Sequence, residues 1–373
     1  MAASLKREVF SKLLFIWRSV NSKVSQQCVS RFQTKQTIIK NIGSSYKLSC
    51  QWSYKHRNYQ GELPRVSLVA LFPVSLAAAK NAEEEKDQNE TELVMILRKG
   101  IQAQNKSDYK AADEFYHEAL HFVYKLHREG KIDDKRLLHL QTNIFDKMAN
   151  LGLLKGEFDH AEVLFKDTMK GMLQMGLDKT DNALVEISVK LASIYASKQK
   201  FDDAELGYQF CVDTMAKKTK EQGLDADLDT TLLYGLCLES QARFWVYQKE
   251  YEKALENYHL ALDIAAKYLP LDHPQKLVIM NDVSSLYYLK GDMTTAEKYM
   301  EEALDVAEVT QVPELPQFYC NQGLIFAQLG RFDEAETSCR KALKVAKDRD
   351  DQESVKEALD CLADVRKMKN SVK

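Results

Sequence analysis

The sequence predicts an all-α fold: a solenoid of about six stacked helix pairs that ends in a C-terminal capping helix. Helix breakers are scarce, with 14 Gly and 6 Pro in 373 residues. Most of the chain consists of long stretches rich in Ala, Leu, Glu and Lys, which are strong helix formers. A short pattern of large and small residues also recurs along the chain, which is typical of a repeat architecture.

The recurring pattern places a small residue, usually Ala, three positions after a large apolar residue. A second large residue commonly follows four positions later, and a small one three after that. Spacings of three and four put all four positions on one helical face, where small residues let two helices approach closely. The pattern is centred on six alanines, namely Ala112, Ala161, Ala204, Ala254, Ala296 and Ala335.

Each pattern is preceded by a turn signal and by another helix. That earlier helix carries a small residue twelve positions before the central Ala, as with Ala149, Ala192 and Ala242. Helix, tight turn and helix with these positions is the tetratricopeptide pattern, here with repeats longer than the usual length of about 34 residues. The predicted repeats lie near 93–125, 142–175, 185–218, 235–268, 277–310 and 316–349, and the capping helix covers 352–367.

The two ends of the chain differ in charge. Residues 1–58 hold eleven Lys and Arg, ten Ser and a single acid, whereas the remaining residues hold 41 basic and 54 acidic side chains. A basic, Ser-rich and acid-poor N-terminus predicts a mitochondrial transit peptide over residues 1–65. The alternative is a basic arm that binds nucleic acid or anionic lipid.

A second short segment separates this leader from the body. Val66–Ala79 is uncharged, but it is shorter than the roughly twenty apolar residues of a membrane-spanning helix and contains Pro73. Three glutamates follow from Glu83. We therefore predict an apolar segment and acidic linker over 66–84 and the solenoid over 85–373.

One catalytic motif is present by spacing. His117-Glu118-Ala119-Leu120-His121 is an HExxH sequence, which on a helix can bind zinc and place a glutamate as general base. Ala119 already has a packing role in the repeat, and no obvious third ligand follows. We favour packing, and a zinc metallopeptidase using 117–121 stays the alternative.

Other catalytic signatures are missing. The sequence contains no phosphate-binding glycine loop, nucleophile elbow or dinucleotide fingerprint, and the acidic body disfavours nucleic acid. The seven cysteines show no CxxC spacing, which predicts reduced and mostly buried thiols. The sequence thus predicts a protein that is not an enzyme and holds no cofactor, catalytic residue or metal.

Binding of another protein is the function that such a solenoid commonly serves. The first helices of stacked pairs line the concave side of a superhelix. Polar residues at solvent-facing positions there can hold an extended peptide, and Arg and Tyr are common interface anchors. The predicted contact residues are Asn150, Lys190, Ser193, Arg243, Tyr247, Asn281, Asp282, Ser285, Tyr288 and Asn321.

Two stretches also resemble a known family, that of tetratricopeptide repeat protein 19. The first runs from Met148-Ala149-Asn150-Leu151 through Gly156 to Leu164-Phe165-Lys166, and the second runs from Asp181-Asn182-Ala183 through Lys190-Leu191-Ala192-Ser193-Ile194-Tyr195-Ala196 to Phe210-Cys211. The resemblance covers roughly residues 90–365 and is strongest over 145–215.

The resemblance implies a function that composition and periodicity do not. It implies a non-catalytic scaffold of the mitochondrial inner membrane that associates with subunits of ubiquinol–cytochrome c reductase, respiratory complex III. It further implies a role in assembly and maintenance of that complex, around installation and processing of its Rieske iron–sulfur protein. A further alternative is a cytosolic cargo adaptor, because Leu271-Asp272-His273-Pro274 resembles the repeat joint of kinesin light chains.

Overall fold

The computed structural model describes residues 80–223 and 227–371. These residues form thirteen α-helices and no strand. The helices are α1 Lys80–Asn105, α2 Tyr109–Arg128, α3 Asp134–Lys155, α4 Phe158–Gln174, α5 Asn182–Ser197, α6 Phe201–Gln222, α7 Leu228–Gln248, α8 Tyr251–Tyr268, α9 Pro274–Lys290, α10 Met293–Thr310, α11 Leu315–Gln328, α12 Phe332–Asp348 and α13 Gln352–Ser371.

Consecutive helices pack as pairs, α1 with α2 through α11 with α12, and α13 packs against both helices of the last pair. The prediction of six helix pairs with a capping helix is confirmed. The cap extends beyond the predicted residue 367 to Ser371. Helix α1 begins at Lys80, so residues 80–84, assigned to a linker from the sequence, are helical. Ala, Glu and Lys in this stretch are strong helix formers, which accounts for the earlier start.

The short turns within pairs follow from residue type. At the end of α3, Gly156 takes a left-handed conformation with φ of 75°, and Gly291 does the same after α9 with φ of 89°. Glycine adopts this conformation without a steric penalty and satisfies the last helical carbonyls through its own N–H. The connection between the first and second pairs also follows from residue type: at the start of α3, the Asp133 side chain accepts a hydrogen bond from the Arg136 backbone N–H at 2.7 Å.

The six central alanines all lie in the helix–helix interfaces, with no exposed surface. Neighbouring helices approach very closely beside them. A Cβ added to Gly207 of α6 would lie 2.9 Å from the Cβ of Ala192 in α5. One added to Gly323 of α11 would lie 2.6 Å from the Sγ of Cys339. Small residues at these positions are therefore a packing requirement, as the repeat pattern predicts.

Stacking of the pairs produces three hydrophobic clusters along the solenoid. The first holds α1 to α4, and it ends on Ile187, Leu191 and Ile194 of α5. The second begins on the other face of α5 with Val185 and Val189, runs to α9 and reaches Leu324 of α11. The third joins α9 to the cap. Helix α5 thus divides the core between the second and third pairs.

The cysteine prediction was wrong for one pair. Cys339 of α12 and Cys361 of α13 form a disulfide with Cα atoms 6.1 Å apart, which links the last pair to the cap. Their 22-residue separation carries no recognisable spacing, so the sequence alone did not reveal it. Cys211, Cys237 and Cys320 are free and buried, as predicted.

The leader and the apolar segment, residues 1–79, lie outside the described residues. Within the described ranges, no helix is both long and apolar enough to cross a membrane.

Candidate partner-binding surface

The predicted contact residues all fall on the first helices of successive pairs. Asn150 lies in α3, Lys190 and Ser193 in α5, and Arg243 and Tyr247 in α7, while Asn281, Asp282, Ser285 and Tyr288 lie in α9 and Asn321 in α11. The expectation that they face solvent is wrong for seven of them, whose exposed fractions are all 8% or less. These seven are Asn150, Ser193, Arg243, Asn281, Asp282, Ser285 and Asn321.

Arg243 is the largest of these buried side chains, and it is held by carboxylates. It is 1% exposed, and its Nε donates to Asp282 Oδ2 of the next pair at 2.9 Å. A second guanidinium nitrogen contacts the carboxylate of Glu239, one turn earlier on α7, and Glu239 is also 1% exposed. Arg243 therefore joins the first helices of the fourth and fifth pairs from inside the protein.

Two further side chains contact these residues. We call Glu239, Arg243, Tyr258 and Asp282 the Arg243 cluster. The hydroxyl of Tyr258 in α8 donates to Asp282 Oδ2 at 3.2 Å, and the amide of Gln275 in α9 donates to Glu239. Arg243 Nη1 and Asp282 Oδ1 have no hydrogen-bond partner among the described residues. Burial raises the pKa of Tyr258, so its hydroxyl keeps its proton.

The buried amides and hydroxyls also bond across helices. Asn321 Nδ2 of α11 donates to Asn281 Oδ1 of α9 at 2.8 Å and to Ser285 Oγ at 3.3 Å. Ser193 of α5 shares a 2.9 Å hydrogen bond with the hydroxyl of Tyr208 in α6. These contacts satisfy polar groups inside the stack, which is what buried polar residues require.

Three predicted residues keep some access to solvent. Tyr247 is 52% exposed, and its ring lies 5.5 Å from that of Phe201 in α6. Lys190 is half-buried, 3.0 Å from a Glu186 carboxylate oxygen and above the ring of Phe165. Tyr288 is half-buried, and burial raises its pKa. Of the ten predicted contact residues, Tyr247 is thus the one with the most access to solvent.

A set of charged contacts between pairs was missed from the sequence. A cation near the end of one pair's first helix contacts an acid on the second helix of the preceding pair. Lys290 lies 2.8 Å from Glu252, and Lys198 lies 2.7 Å from Glu162. The same relation links Lys155 to Asp113, Arg331 to Glu297 and, in the cap, Lys369 to Asp333. For Lys155, Lys198 and Lys290, a basic residue before the turn was the available signal.

The junction between the third and fourth pairs departs from this pattern. Lys249 at the end of α7 forms no such contact within the described ranges. It occupies the left-handed conformation itself, with φ of 66°, where α3 and α9 have Gly156 and Gly291. These pairs are joined by ring packing, with Tyr208 and Phe244 5.4 Å apart, and by a 3.1 Å hydrogen bond from Gln241 to Gln209.

The HExxH residues lie on α2 at the surface. His117, Glu118 and His121 are exposed, and Nδ1 of His117 is 2.9 Å from the backbone oxygen of Asp113. Ala119 is fully buried in the helix interface, as the repeat pattern predicts. Across the described part of the chain, no group of three or more His, Cys, Asp or Glu side chains could hold a metal ion. A third zinc ligand is thus missing from these residues, which leaves the zinc alternative without support from the geometry.

Comparison with known proteins supports the repeat assignment. Family models described as tetratricopeptide repeat match residues 238–308 and 316–348. Among solved structures, aspartyl phosphate phosphatase F from Bacillus subtilis aligns over 93% of this chain and 96% of its own, with a TM-score of 0.55 and 12% identity. BtubC from P. vanneervenii covers 65% of this chain and 92% of its own, with a TM-score of 0.52 and 19% identity. At such identities these likenesses show the fold alone.

Curated relatives are closer in sequence. The human protein named tetratricopeptide repeat protein 19, mitochondrial, is 32% identical over 339 residues, covering 85% of this chain and 87% of its own. The Drosophila melanogaster protein named as its mitochondrial homolog is 24% identical and covers 78% of this chain and 76% of its own. The resemblance seen at residues 145–215 therefore extends along most of the chain, which belongs to the tetratricopeptide repeat protein 19 family.

Proposed function

We propose that this protein is a non-catalytic, protein-binding scaffold of the mitochondrial inner membrane. It serves assembly and maintenance of respiratory complex III, around installation and processing of the Rieske iron–sulfur protein. The observation that carries the mitochondrial part is family membership, since the relatives' names state that location. The complex III part rests on the resemblance stated above. The solenoid supports the scaffold role, because stacked helix pairs offer extended surfaces for other polypeptides.

The contact surface of this scaffold is formed by the accessible residues of the first helices. We place Tyr247 at its centre, because it is the exposed aromatic residue of α7 and its ring is already braced by Phe201. Lys190 and Tyr288 flank it on α5 and α9. The seven buried residues act indirectly, since they fix the spacing of the helices that present this surface.

Affinity purification of the full-length protein from detergent-solubilised mitochondria tests the scaffold role. Subunits of complex III should co-purify with the protein. Their absence from the purified material would overturn this assignment. The same experiment with Tyr247→Ala tests the surface. Truncation of an interface anchor typically costs more than about 1–2 kcal/mol, so recovery of the complex should fall roughly tenfold.

A matched variant controls for general loss of an aromatic ring. Tyr268 at the end of α8 is 39% exposed and lies outside the proposed surface. Tyr268→Ala should leave recovery of complex III unchanged, and both variants should keep the wild-type helix content. Replacement of Arg243 is unsuitable for this purpose, because its loss would disturb the fold as well as the surface. Equal recovery with Tyr247→Ala and wild type would place binding elsewhere on the solenoid.

A further inference from the structure

The Arg243 cluster contains more negative than positive charge when all its groups are ionised. Glu239 and Asp282 each carry one carboxylate, and Arg243 supplies one guanidinium. All three side chains are at most 2% exposed. An uncompensated charge inside a protein is strongly unfavourable, and such a group usually takes up or loses a proton instead.

The elements that pack against this cluster supply no obvious second cation among the described residues. Helix α8 contributes the neutral hydroxyl of Tyr258, and α9 contributes the amide of Gln275 beside His273, whose pKa is lowered by burial. On the far side of α7, the thiol of Cys237 contacts the thiol of Cys211 in α6. The negative charge of Glu186 in α5 also acts on Cys237. These groups are neutral or negative, so they leave the excess charge in place.

We propose that the Glu239 carboxyl of the Arg243 cluster binds a proton in the folded protein, and that release of this proton loosens the junction between the fourth and fifth helix pairs. With one proton bound, the cluster holds one positive and one negative charge and is balanced. Without the proton, the carboxylates of Glu239 and Asp282 repel one another across a single guanidinium. This repulsion weakens the contact between α7 and α9.

The surroundings of Glu239 shift its pKa in the direction that the proposal requires. Burial raises the pKa of this carboxyl to about 7, opposed by the attraction of Arg243 and assisted by the negative charge of Asp282. In the unfolded chain the same group ionises near its ordinary value of 4.5. A raised folded-state pKa stabilises the fold fully below about pH 4.5, and this stabilisation is lost as pH rises through about 7.

Denaturant unfolding of the full chain between pH 5 and pH 8 tests the proposal. Over pH 5 to 6.5 Glu239 binds one proton more in the folded state than in the unfolded state. In Glu239→Gln an amide replaces the protonated acid, so the ratio of the wild-type unfolding equilibrium constant to that of Glu239→Gln should rise roughly tenfold per pH unit and level off above pH 7.5. Hydrogen exchange in α7 and α9, corrected for the intrinsic pH dependence of the chemistry, should show the same contrast.

Glu297→Gln is the matched control. Glu297 pairs with Arg331 at the surface and is 23% exposed, so this variant should keep the wild-type pH dependence. The same slope in wild type and Glu239→Gln would overturn the proposal. Should Glu239→Gln fail to fold, carboxyl-carbon NMR titration of the wild-type protein decides instead. A Glu239 carboxyl that titrates at its ordinary value would equally overturn it.

Discussion

Two junctions of the solenoid are held by charge in opposite ways. Between the second and third pairs, Lys198 at the end of α5 contacts Asp159 and Glu162 on α4. Between the fourth and fifth pairs, Arg243 contacts Glu239 and Asp282 with almost no exposure. Each of these sites places one cation between two acids, but Asp159 beside Lys198 is 92% exposed, whereas all three side chains around Arg243 are excluded from water.

The protonation behaviour of the acids shows what this difference does. Burial opposes ionisation of Glu162, but hydrogen bonds from Lys166 and Lys198 outweigh it, so the pKa of Glu162 is lowered. At Glu239 burial prevails over the attraction of Arg243, and the pKa is raised. Two lysines that reach Glu162 from partly exposed positions therefore favour its charged form, whereas the single guanidinium beside the fully buried Glu239 does not.

The hydrophobic core does not distinguish the two junctions. The faces of α5 belong to the first and second clusters, and the faces of α9 belong to the second and third, with Ile279 and Val283 in one and Leu277 and Met280 in the other. Because Lys290 also pairs with Glu252 between the fourth and fifth pairs, the two junctions differ by the buried Arg243 cluster that the second one adds. Replacing the central cation of each junction tests this contrast directly.

The largest effect is expected for Arg243→Ala. It leaves Glu239 and Asp282 buried without their cation, and loss of one partner of a buried ion pair costs about 3–5 kcal/mol. Urea unfolding should show this loss at neutral pH, and a second Glu239→Gln change should recover part of it. Arg340→Ala is the control, because Arg340 is 65% exposed and pairs with Glu336 on its own helix. A loss below about 1 kcal/mol for Arg243→Ala would mean that the cluster contributes little to the junction.

The sequence predicted the packing framework better than the polar interior. Ala161 and Ala254 stand at close contacts between helices, and their spacing alone identified the fold. The same spacing gave the helical register of Arg243 and Asp282 but not the distance between neighbouring first helices. That distance decides whether such residues meet solvent or each other, and it depends on side chains from several pairs at once.

The pairing of Lys198 and Glu162 was hidden for a related reason. The two residues are 36 positions apart, and only stacking of successive pairs brings them together. The disulfide between Cys339 and Cys361 likewise depends on how the cap packs against the last pair. Local sequence thus specified the helices and their contacts within pairs, while contacts between pairs required the structure.

A smaller effect, with a different dependence on salt, is expected for Lys198→Met. Methionine keeps an apolar chain of similar length but removes the charge that Glu162 meets. A partly exposed pair contributes no more than about 1 kcal/mol, and salt screens it. The difference in unfolding free energy between Lys198→Met and wild type, measured with urea, should therefore shrink as NaCl rises from 0.05 to 1 M, because added salt shortens the Debye length. The loss caused by Arg243→Ala should persist at high salt, and equal salt dependence of the two variants would refute the contrast.

The smallest expected effect is a gain of stability at Lys249, between the third and fourth pairs. Lys249 ends α7 in a left-handed conformation, which is unfavourable for a residue with a Cβ, whereas α3 and α9 have glycine there. Lys249 forms no ion pair among the described residues, so Lys249→Gly should relieve strain without breaking a bond. Glycine also increases the freedom of the unfolded chain, which offsets part of the gain. We expect a net stabilisation of about 0.5 kcal/mol, measured by urea unfolding at neutral pH.

Lys253→Gly is the contrasting variant, because Lys253 lies within α8, and glycine inside a helix should destabilise by about 1 kcal/mol. A loss of stability with Lys249→Gly would show that this lysine, like its counterparts Lys198 and Lys290, contributes to holding neighbouring pairs together.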